Sequence, residues 1–125
     1  MTVDANIIIE YVTGERSTIA LLTSHRQRHV PLLLPTVVEA EVLSYPRLTT
    51  MERTTLERFL EENFVSISFD RSIARLAAAI RASQKIKLPD AAIAATALYT
   101  KTALLTRNVR DFKHIAGLRL ASLEL

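Results

Sequence analysis

Short apolar runs alternate with helical segments along the whole chain, and this alternation limits the possible folds more than any other feature. The predicted strands are Thr2–Asp4, Pro31–Leu34, Phe64–Ile67 and Ala103–Thr106, with a possible edge strand at Leu118–Leu120. Strands this short, separated by longer helices, are typical of βαβ units, whose parallel sheet is covered on both faces. The sequence therefore predicts one α/β domain over residues 1–125, a three-layer α/β/α sandwich around a central parallel sheet.

The predicted helices fill the intervals between these strands. They cover Asn6–Tyr11, Ser17 to about Arg28, Thr36 to about Tyr45, a segment ending at Glu62, Ile73–Ser83, Asp90 to about Tyr99, and a short turn at Asn108–Phe112. Side chains that can accept a hydrogen bond from the first helical turn are candidate N-caps. On this basis we expect caps at Ser17, at Thr50 or Thr54, and at Asp70.

Composition excludes several classes of protein. Hydrophobic residues make up 49% of the chain, and only 2 glycines and 4 prolines occur, so we expect neither disorder nor repeats. The absence of cysteine excludes disulfides and thiolate metal sites. Two glycines cannot supply a Walker loop, a Rossmann glycine fingerprint or a nucleophile elbow. No leader pattern and no apolar run of about 20 residues is present, so we expect a cytoplasmic protein without a membrane anchor.

Three acidic residues stand in apolar surroundings far apart in the sequence. Asp4 ends the first strand, Glu41 lies inside an apolar helix, and Asp90 follows Pro89 in the first turn of another. Ligands of open α/β sheets bind beyond the carboxyl ends of the strands. Carboxylates are costly to desolvate unless they are paired or bind a cation. The sequence therefore predicts a hard-metal site, and the net charge of +3 is compatible with a phosphodiester substrate.

Glu39 and Glu41 have different predicted roles although they lie on one helix. They are about 200° apart around the helix axis and cannot share a face. Thr36 and Glu39 match the capping-box pattern, which gives Glu39 a local role. Glu41 has Val37 and Val38 one turn behind it and projects from the apolar stripe. The alternative for Glu41 is a surface position at the edge of that stripe.

The segment after the fourth strand is expected at the same edge of the sheet. Asn108 is a candidate N-cap and Asp111 lies three residues further on, so local capping is as well supported as a metal role. Thr106 can donate its hydroxyl to a carboxylate or to a water. Asn6 is either an N-cap or a hydrogen-bonding partner that orients Asp4.

Four segments together resemble the PIN domain and, within it, the VapC toxins of toxin–antitoxin pairs. They are Val3–Asn6, Glu41–Leu43, Asp90–Ala97 and Thr106–Phe112. The resemblance implies a Rossmann-like α/β/α domain that acts as a Mg²⁺- or Mn²⁺-dependent endoribonuclease. It also implies frequent homodimers and inhibition by a small VapB-type antitoxin.

The resemblance also implies which residues form the site. The acidic set is Asp4, Glu41 and Asp90, with a fourth position at Asn108. The family usually has Thr or Ser where this chain has Ala5, and often has Asp where it has Asn108. Because Asn108 is neutral, either Asn108 or Asp111 can serve as the fourth position. We expect one tightly held ion, with a second arriving only with RNA.

Basic residues near the fourth acidic segment are candidate RNA contacts. Arg107, Arg110 and Lys113, with His114 beside them, can bind phosphates, which gives affinity without sequence information. A second basic cluster contains Arg26, Arg28 and His29, and either binds phosphates or forms a solvated basic face.

Three other functions compete with a toxin nuclease. A PIN-domain nuclease of RNA processing has the same sequence features. A non-catalytic module would use the acids to hold a structural cation and the basic face to bind RNA or a protein. A phosphatase of the haloacid dehalogenase type also has Asp at the end of its first strand, but needs a second Asp where this chain has Asn6.

Overall fold

Four short strands form one parallel sheet with the order β3-β2-β1-β4. The computed structural model describes residues 1–125, and its strands are β1 Thr2–Val3, β2 Leu33–Pro35, β3 Val65–Ile67 and β4 Leu104–Leu105. Thr2 lies opposite Leu33 on one side and Leu104 on the other, so β1 is central. The chain moves outward from β1 to β3 and then returns to the other side of β1. The strand order therefore reverses between β1 and β4, where open α/β sheets bind their ligands.

Helices connect and flank the strands. They are α1 Ala5–Val12, α2 Arg16–Gln27, α3 Thr36–Leu43, α4 Thr50–Asn63, α5 Arg71–Ser83, α6 Leu88–Thr100 and α7 Val109–Phe112. This architecture confirms the predicted α/β fold with a central parallel sheet. The predicted edge strand at Leu118–Leu120 forms only one parallel bridge, from Leu120 to Leu104. No helix combines the length and the apolar character that crossing a membrane requires.

The central part of helix α6 is buried on every side, and its first turn positions Asp90. All residues from 91 to 97 are buried, and five of these seven are alanines. Small side chains let the sheet and α5 approach α6 closely, and the buried face of α5 includes Ala77 and Ile80. Ala77 of α5 thus packs inside the chain's own core, whereas Ala78 and Ala79 are exposed. Asp90, in the first turn of α6, is carried by one of the most firmly held elements of the fold.

Two of the predicted helix caps are wrong. Glu15 occupies the N-cap of α2 and makes no side-chain capping bond, so Ser17 does not cap this helix. Thr49, rather than Thr50 or Thr54, caps α4 in a complete capping box. The Thr54 hydroxyl instead donates to the carbonyl of Thr50, as a threonine inside a helix commonly does.

The cap of α5 is confirmed, whereas the capping box of α3 is wrong. Asp70 accepts a hydrogen bond from the backbone N–H of Ile73 at 3.0 Å. Thr36 cannot cap α3, because β2 runs directly into the helix and Pro35 occupies the N-cap. The Thr36 hydroxyl instead accepts a hydrogen bond from the backbone N–H of Phe69 at 3.1 Å. Thr36 therefore ties α3 to the loop that leads into α5, and Glu39 has no capping role.

Candidate active site at the carboxyl edge of the sheet

Asp4 is a buried carboxyl group at the end of the central strand. Its side chain is 4% exposed. Oδ1 accepts a hydrogen bond from the backbone N–H of Ala5 at 2.7 Å, and Oδ2 accepts bonds from Thr106 Oγ1 at 2.7 Å and Asn6 Nδ2 at 3.3 Å. The predicted Thr106 contact is thereby confirmed, and of the two roles for Asn6 the structure shows the one that orients Asp4. Burial raises the pKa of Asp4, while the three hydrogen bonds oppose that rise.

Glu41 and Asp90 lie near Asp4 and influence each other electrostatically. Burial, followed by the charges of Asp4 and Asp90, raises the pKa of Glu41. Burial also raises the pKa of Asp90, with further contributions from Asp4 and Asp111, against a lowering by Lys87. Four carboxyl groups from four parts of the chain therefore share one neighbourhood. Glu41 lies at the surface, which agrees with the alternative prediction of a surface position for this residue. It nevertheless interacts electrostatically with Asp4 and Asp90.

The donor set suits a hard divalent cation, although the side chains do not form a closed metal site. No group of three or more His, Asp or Glu side chains is arranged to hold a metal ion. The available donors are carboxylate oxygens, which Mg²⁺ and Mn²⁺ prefer. Glu41 and Asp90 accept no hydrogen bond from the protein, so their oxygens are free to bind. Shared coordination by Asp4, Glu41 and Asp90 stays a prediction.

The segment between β4 and α7 brings Asp111 toward these acids. Asn108 occupies the N-cap of α7 but makes no side-chain capping bond, so the predicted capping by its side chain is wrong. The turn is instead held by Thr106 Oγ1, which accepts a hydrogen bond from the Asn108 N–H at 3.0 Å. The carboxylate of Asp111 makes no local capping bond, and its charge raises the pKa of Asp90. Asp111 is therefore a member of the acidic neighbourhood.

Arg107 is held by other side chains of the protein. Its Nε lies 3.0 Å from both carboxylate oxygens of Glu10, and its Nη2 lies 2.9 Å from Oε1 of the same residue. Thr18 accepts a further bond from Nη2 at 3.2 Å, and the Arg107 backbone N–H donates to Asn6 at 3.2 Å. The guanidinium thus ties the segment after β4 to α1 and α2. The structure assigns it a positioning role, and the predicted RNA contact would have to compete with Glu10.

A groove of about 640 Å³ runs alongside Asp90 and Asp111. Its other lining residues are Arg81, Gln84, Lys85, Ile86, Lys87, Arg110 and His114. Arg110 and His114 were identified from the sequence. The cations at positions 81, 85 and 87 were missed, because a charged connection between two helices looks like an ordinary solvated linker. Lys113, also predicted to bind RNA, is exposed but does not line this groove.

The second basic cluster lies toward the opposite edge of the sheet. Burial lowers the pKa of His25, followed by the charges of Arg28 and of the amino terminus. The amino terminus precedes β1, whereas Asp4 follows it. Arg26, Arg28 and His29 therefore do not extend the basic surface next to the acids.

An apolar groove of about 740 Å³ lies between α1, α3 and α4. Its rim includes Val12, Tyr45 and Met51, whose side chains are 45%, 51% and 79% exposed. Val42 also lines this groove, and it directly follows Glu41 in α3. The apolar groove and Glu41 therefore share helix α3.

Replacing Thr106 with valine is expected to destabilise the fold through Asp4. The variant removes a charge-assisted hydrogen bond from a buried carboxylate, which should reduce the free energy of unfolding by about 1.5–3 kcal/mol. The pKa of Asp4 should rise further. Urea denaturation and an NMR titration of the Asp4 carboxyl carbon measure the two effects. Thr106→Ser retains the hydroxyl and should behave like the wild type; equal effects of both variants would contradict this role.

Replacing Glu41 with glutamine is expected to stabilise the metal-free protein near neutral pH. A raised pKa in the folded state means that the ionised carboxylate destabilises the fold above that pKa. The gain should be complete at neutral pH, decrease as the pH falls through the folded pKa, and vanish below the ordinary value of 4.5. Urea denaturation in EDTA at several pH values measures it. Glu39→Gln, on the same helix, is the matched control and should give no comparable gain.

Residues 1–118 match the PIN domain family model, whereas no curated protein matches the chain. A toxin–antitoxin complex from Klebsiella pneumoniae contains a chain of 28% identity, with 99% of this chain and 98% of that chain covered and a TM-score of 0.79.

Two further solved structures share the fold at lower identity. VapBC2 from Rickettsia felis, bound to a promoter DNA fragment, gives 21% identity, 96% coverage of both chains and a TM-score of 0.83. FitAcB from Neisseria gonorrhoeae gives 23% identity, coverage of 98% of this chain and 96% of that chain, and a TM-score of 0.79. The family match extends over nearly the whole sequence and agrees with these structures, and the chain belongs to the PIN-domain family.

Proposed function

We propose that this protein is a divalent-metal-dependent endoribonuclease that hydrolyses phosphodiester bonds of RNA. The observation that carries the proposal is the gathering of Asp4, Glu41, Asp90 and Asp111 at the reversal point of the sheet, with a cation-lined groove beside them. PIN domains are generally nucleases, and this arrangement supplies both acidic groups for a metal and cations for a polyanionic substrate.

Asp4 and Asp90 are the proposed metal ligands. Asp4 is fixed by three hydrogen bonds, and Asp90 by the buried helix that carries it. Mg²⁺ or Mn²⁺, when bound, would supply Lewis-acid stabilisation of the charge that develops on the scissile phosphate. Thr106 and Asn6 keep the Asp4 carboxylate oriented for this task. Asp111, which is charged and acts on Asp90, suits the fourth position better than Asn108.

Glu41 is the proposed general base or water-orienting group. It is a surface residue whose partly buried carboxylate makes no hydrogen bond within the protein and has a raised pKa. A raised pKa improves a carboxylate as proton acceptor at neutral pH. Because it lies on α3 rather than on the turn that carries Asp4, Glu41 can approach a phosphate from a different side than Asp4.

Cleavage of total RNA with added Mg²⁺ or Mn²⁺, beside an EDTA control, tests the proposal. Asp90→Asn should lower kcat/KM by at least about 100-fold, since metal stabilisation of transition-state charge is worth several kcal/mol. Glu41→Gln should lose more activity than Glu39→Gln. Circular dichroism checks that each variant is folded.

Two results of this experiment would contradict the proposal. Full activity of folded Asp90→Asn would remove this residue from the mechanism. Absence of cleavage of any RNA pool, together with thermal stabilisation by the metal, would favour a non-catalytic module that holds a structural cation.

We further propose that the nuclease is the toxin of a toxin–antitoxin pair, inhibited by a VapB-type antitoxin. The similar solved structures include toxin–antitoxin complexes, two of them bound to DNA and described as VapBC. The apolar groove shares helix α3 with Glu41, so an antitoxin segment that extends from this groove along α3 would cover the carboxylates and obstruct RNA. The homodimer implied by the family resemblance stays a prediction.

Expression of the wild-type chain should arrest bacterial growth, and coexpression of the antitoxin encoded beside it should restore growth. Met51→Glu places a charge on the rim of the apolar groove and should prevent this rescue while leaving RNA cleavage intact. Tyr99→Glu, at the far end of α6, is the control because Tyr99 is also an exposed large hydrophobic residue and lies outside the apolar groove. Growth without arrest, or rescue of Met51→Glu as efficient as that of Tyr99→Glu, would contradict the proposal.

A further inference from the structure

The groove beside Asp90 and Asp111 is built to carry positive charge. Four cations line it, at positions 81, 85, 87 and 110, against only two carboxylates. We call this the cationic groove. Both carboxylates belong to the acidic neighbourhood, so the groove leads from a cationic stretch directly to the proposed site of cleavage.

The loop between α5 and α6 fixes the direction of its lysines. Gln84 and Lys87 have extended backbone angles, and side chains in an extended segment alternate between two sides. Ile86 is half-buried and packs against the core, whereas Lys85 and Lys87 are exposed. The two ammonium groups therefore lie on the outer side of the loop. Their Cα atoms are about 6.6 Å apart at the rise of an extended chain, close to the spacing of successive phosphates in an extended strand.

Arg81 stabilises this loop and still faces the cationic groove. Its Nε donates to the carbonyl of Ile86 at 3.1 Å, across the turn between the two helices. Its Nη nitrogens have no protein partner and remain available for a phosphate. Arg110, from α7, makes no side-chain hydrogen bond or ion pair within the protein. Unlike Arg107, which is bound to Glu10, these cations are not neutralised inside the molecule.

We propose that the cationic groove binds the sugar–phosphate backbone of single-stranded RNA and leads it to Asp90 and Asp111. This inference rests on the proposed nuclease function and names the part of the protein that holds the substrate. A rigid duplex presents its phosphates on a convex surface, whereas an extended single strand can follow a groove toward a carboxyl group as buried as Asp4.

The lining indicates that the cationic groove binds phosphates rather than bases. No Phe, Tyr or Trp lines it, His114 is its only ring side chain, and Ile86 is its only hydrophobic residue. Base stacking on aromatic rings is the usual source of affinity for unpaired bases. Binding in the cationic groove should therefore be strongly salt-dependent and insensitive to sequence, and discrimination between RNAs must come from contacts outside it.

Fluorescence anisotropy tests the inference with a labelled single-stranded RNA of about 12 nucleotides. Titrations of the metal-free protein in EDTA at several KCl concentrations give the dependence of log Kd on log salt without cleavage. Lys85→Gln and Arg110→Gln should each weaken binding and reduce the salt slope by about 0.7, the value for one phosphate contact in a single strand. Lys101→Gln is the matched control, because α6 separates it from Asp90 by about 17 Å.

Two outcomes would overturn the inference. One is an unchanged salt slope in both groove variants, and the other is tighter binding of a duplex of the same length. Steady-state cleavage separates this inference from the nuclease proposal, because groove variants should raise KM with little change in kcat, whereas Asp90→Asn should lower kcat. Metal-dependent cleavage together with unchanged salt slopes of log Kd would refute RNA binding in the cationic groove and leave the nuclease proposal standing. RNA binding that depends on the groove residues, without metal-dependent cleavage, would refute the nuclease proposal alone.

Discussion

The buried carboxyl group of Asp4 is the constraint on which the rest of the site depends. An ionised carboxylate in a buried position is costly unless donors satisfy its oxygens. Here the donors come from the start of α1 and from the end of β4, which stand on either side of the point where the strand order reverses. The hydrogen bonds that offset the cost of burying the Asp4 carboxylate therefore also fix the geometry of this edge of the sheet. Arg107 strengthens the arrangement by tying the chain after Thr106 to Glu10 of α1.

The acids around Asp4 are kept together against their mutual repulsion. Burial and neighbouring negative charges raise the pKa values of both Glu41 and Asp90. Neither residue receives a hydrogen bond from the protein that would offset this effect. The apolar packing of α6 holds Asp90 in place. The favourable free energy of this packing therefore offsets the electrostatic repulsion among the acids. A bound cation would offset this repulsion. Clusters of groups with shifted pKa values are typical of functional sites.

Local patterns in the sequence predicted the fold well, whereas the joint role of the acids as a metal site stays a prediction. The alternation of short apolar runs and helices determined the parallel sheet, and the strand-end position of Asp4 placed it at the reversal point. The sequence patterns gave wrong predictions where a side chain interacts with a residue far away in the sequence instead of with its local motif. Thr36 and Glu39 match a capping box, but β2 leaves no room for a cap and Phe69 takes the hydroxyl. The pairing of Arg107 with Glu10 spans 97 positions and leaves no signature in either segment.

The two grooves are formed by different elements of the fold, and this separation has a consequence for the proposed function. The cationic groove is formed by the α5–α6 loop and α7 and reaches Asp90 and Asp111. The apolar groove is formed by α1, α3 and α4, and its lining includes Val42, which follows Glu41 in α3. Under the proposed function, RNA and an antitoxin segment would therefore be recognised by different chemistry and would compete at the carboxylates. Substitutions in either groove would then alter the binding of one ligand independently of the other.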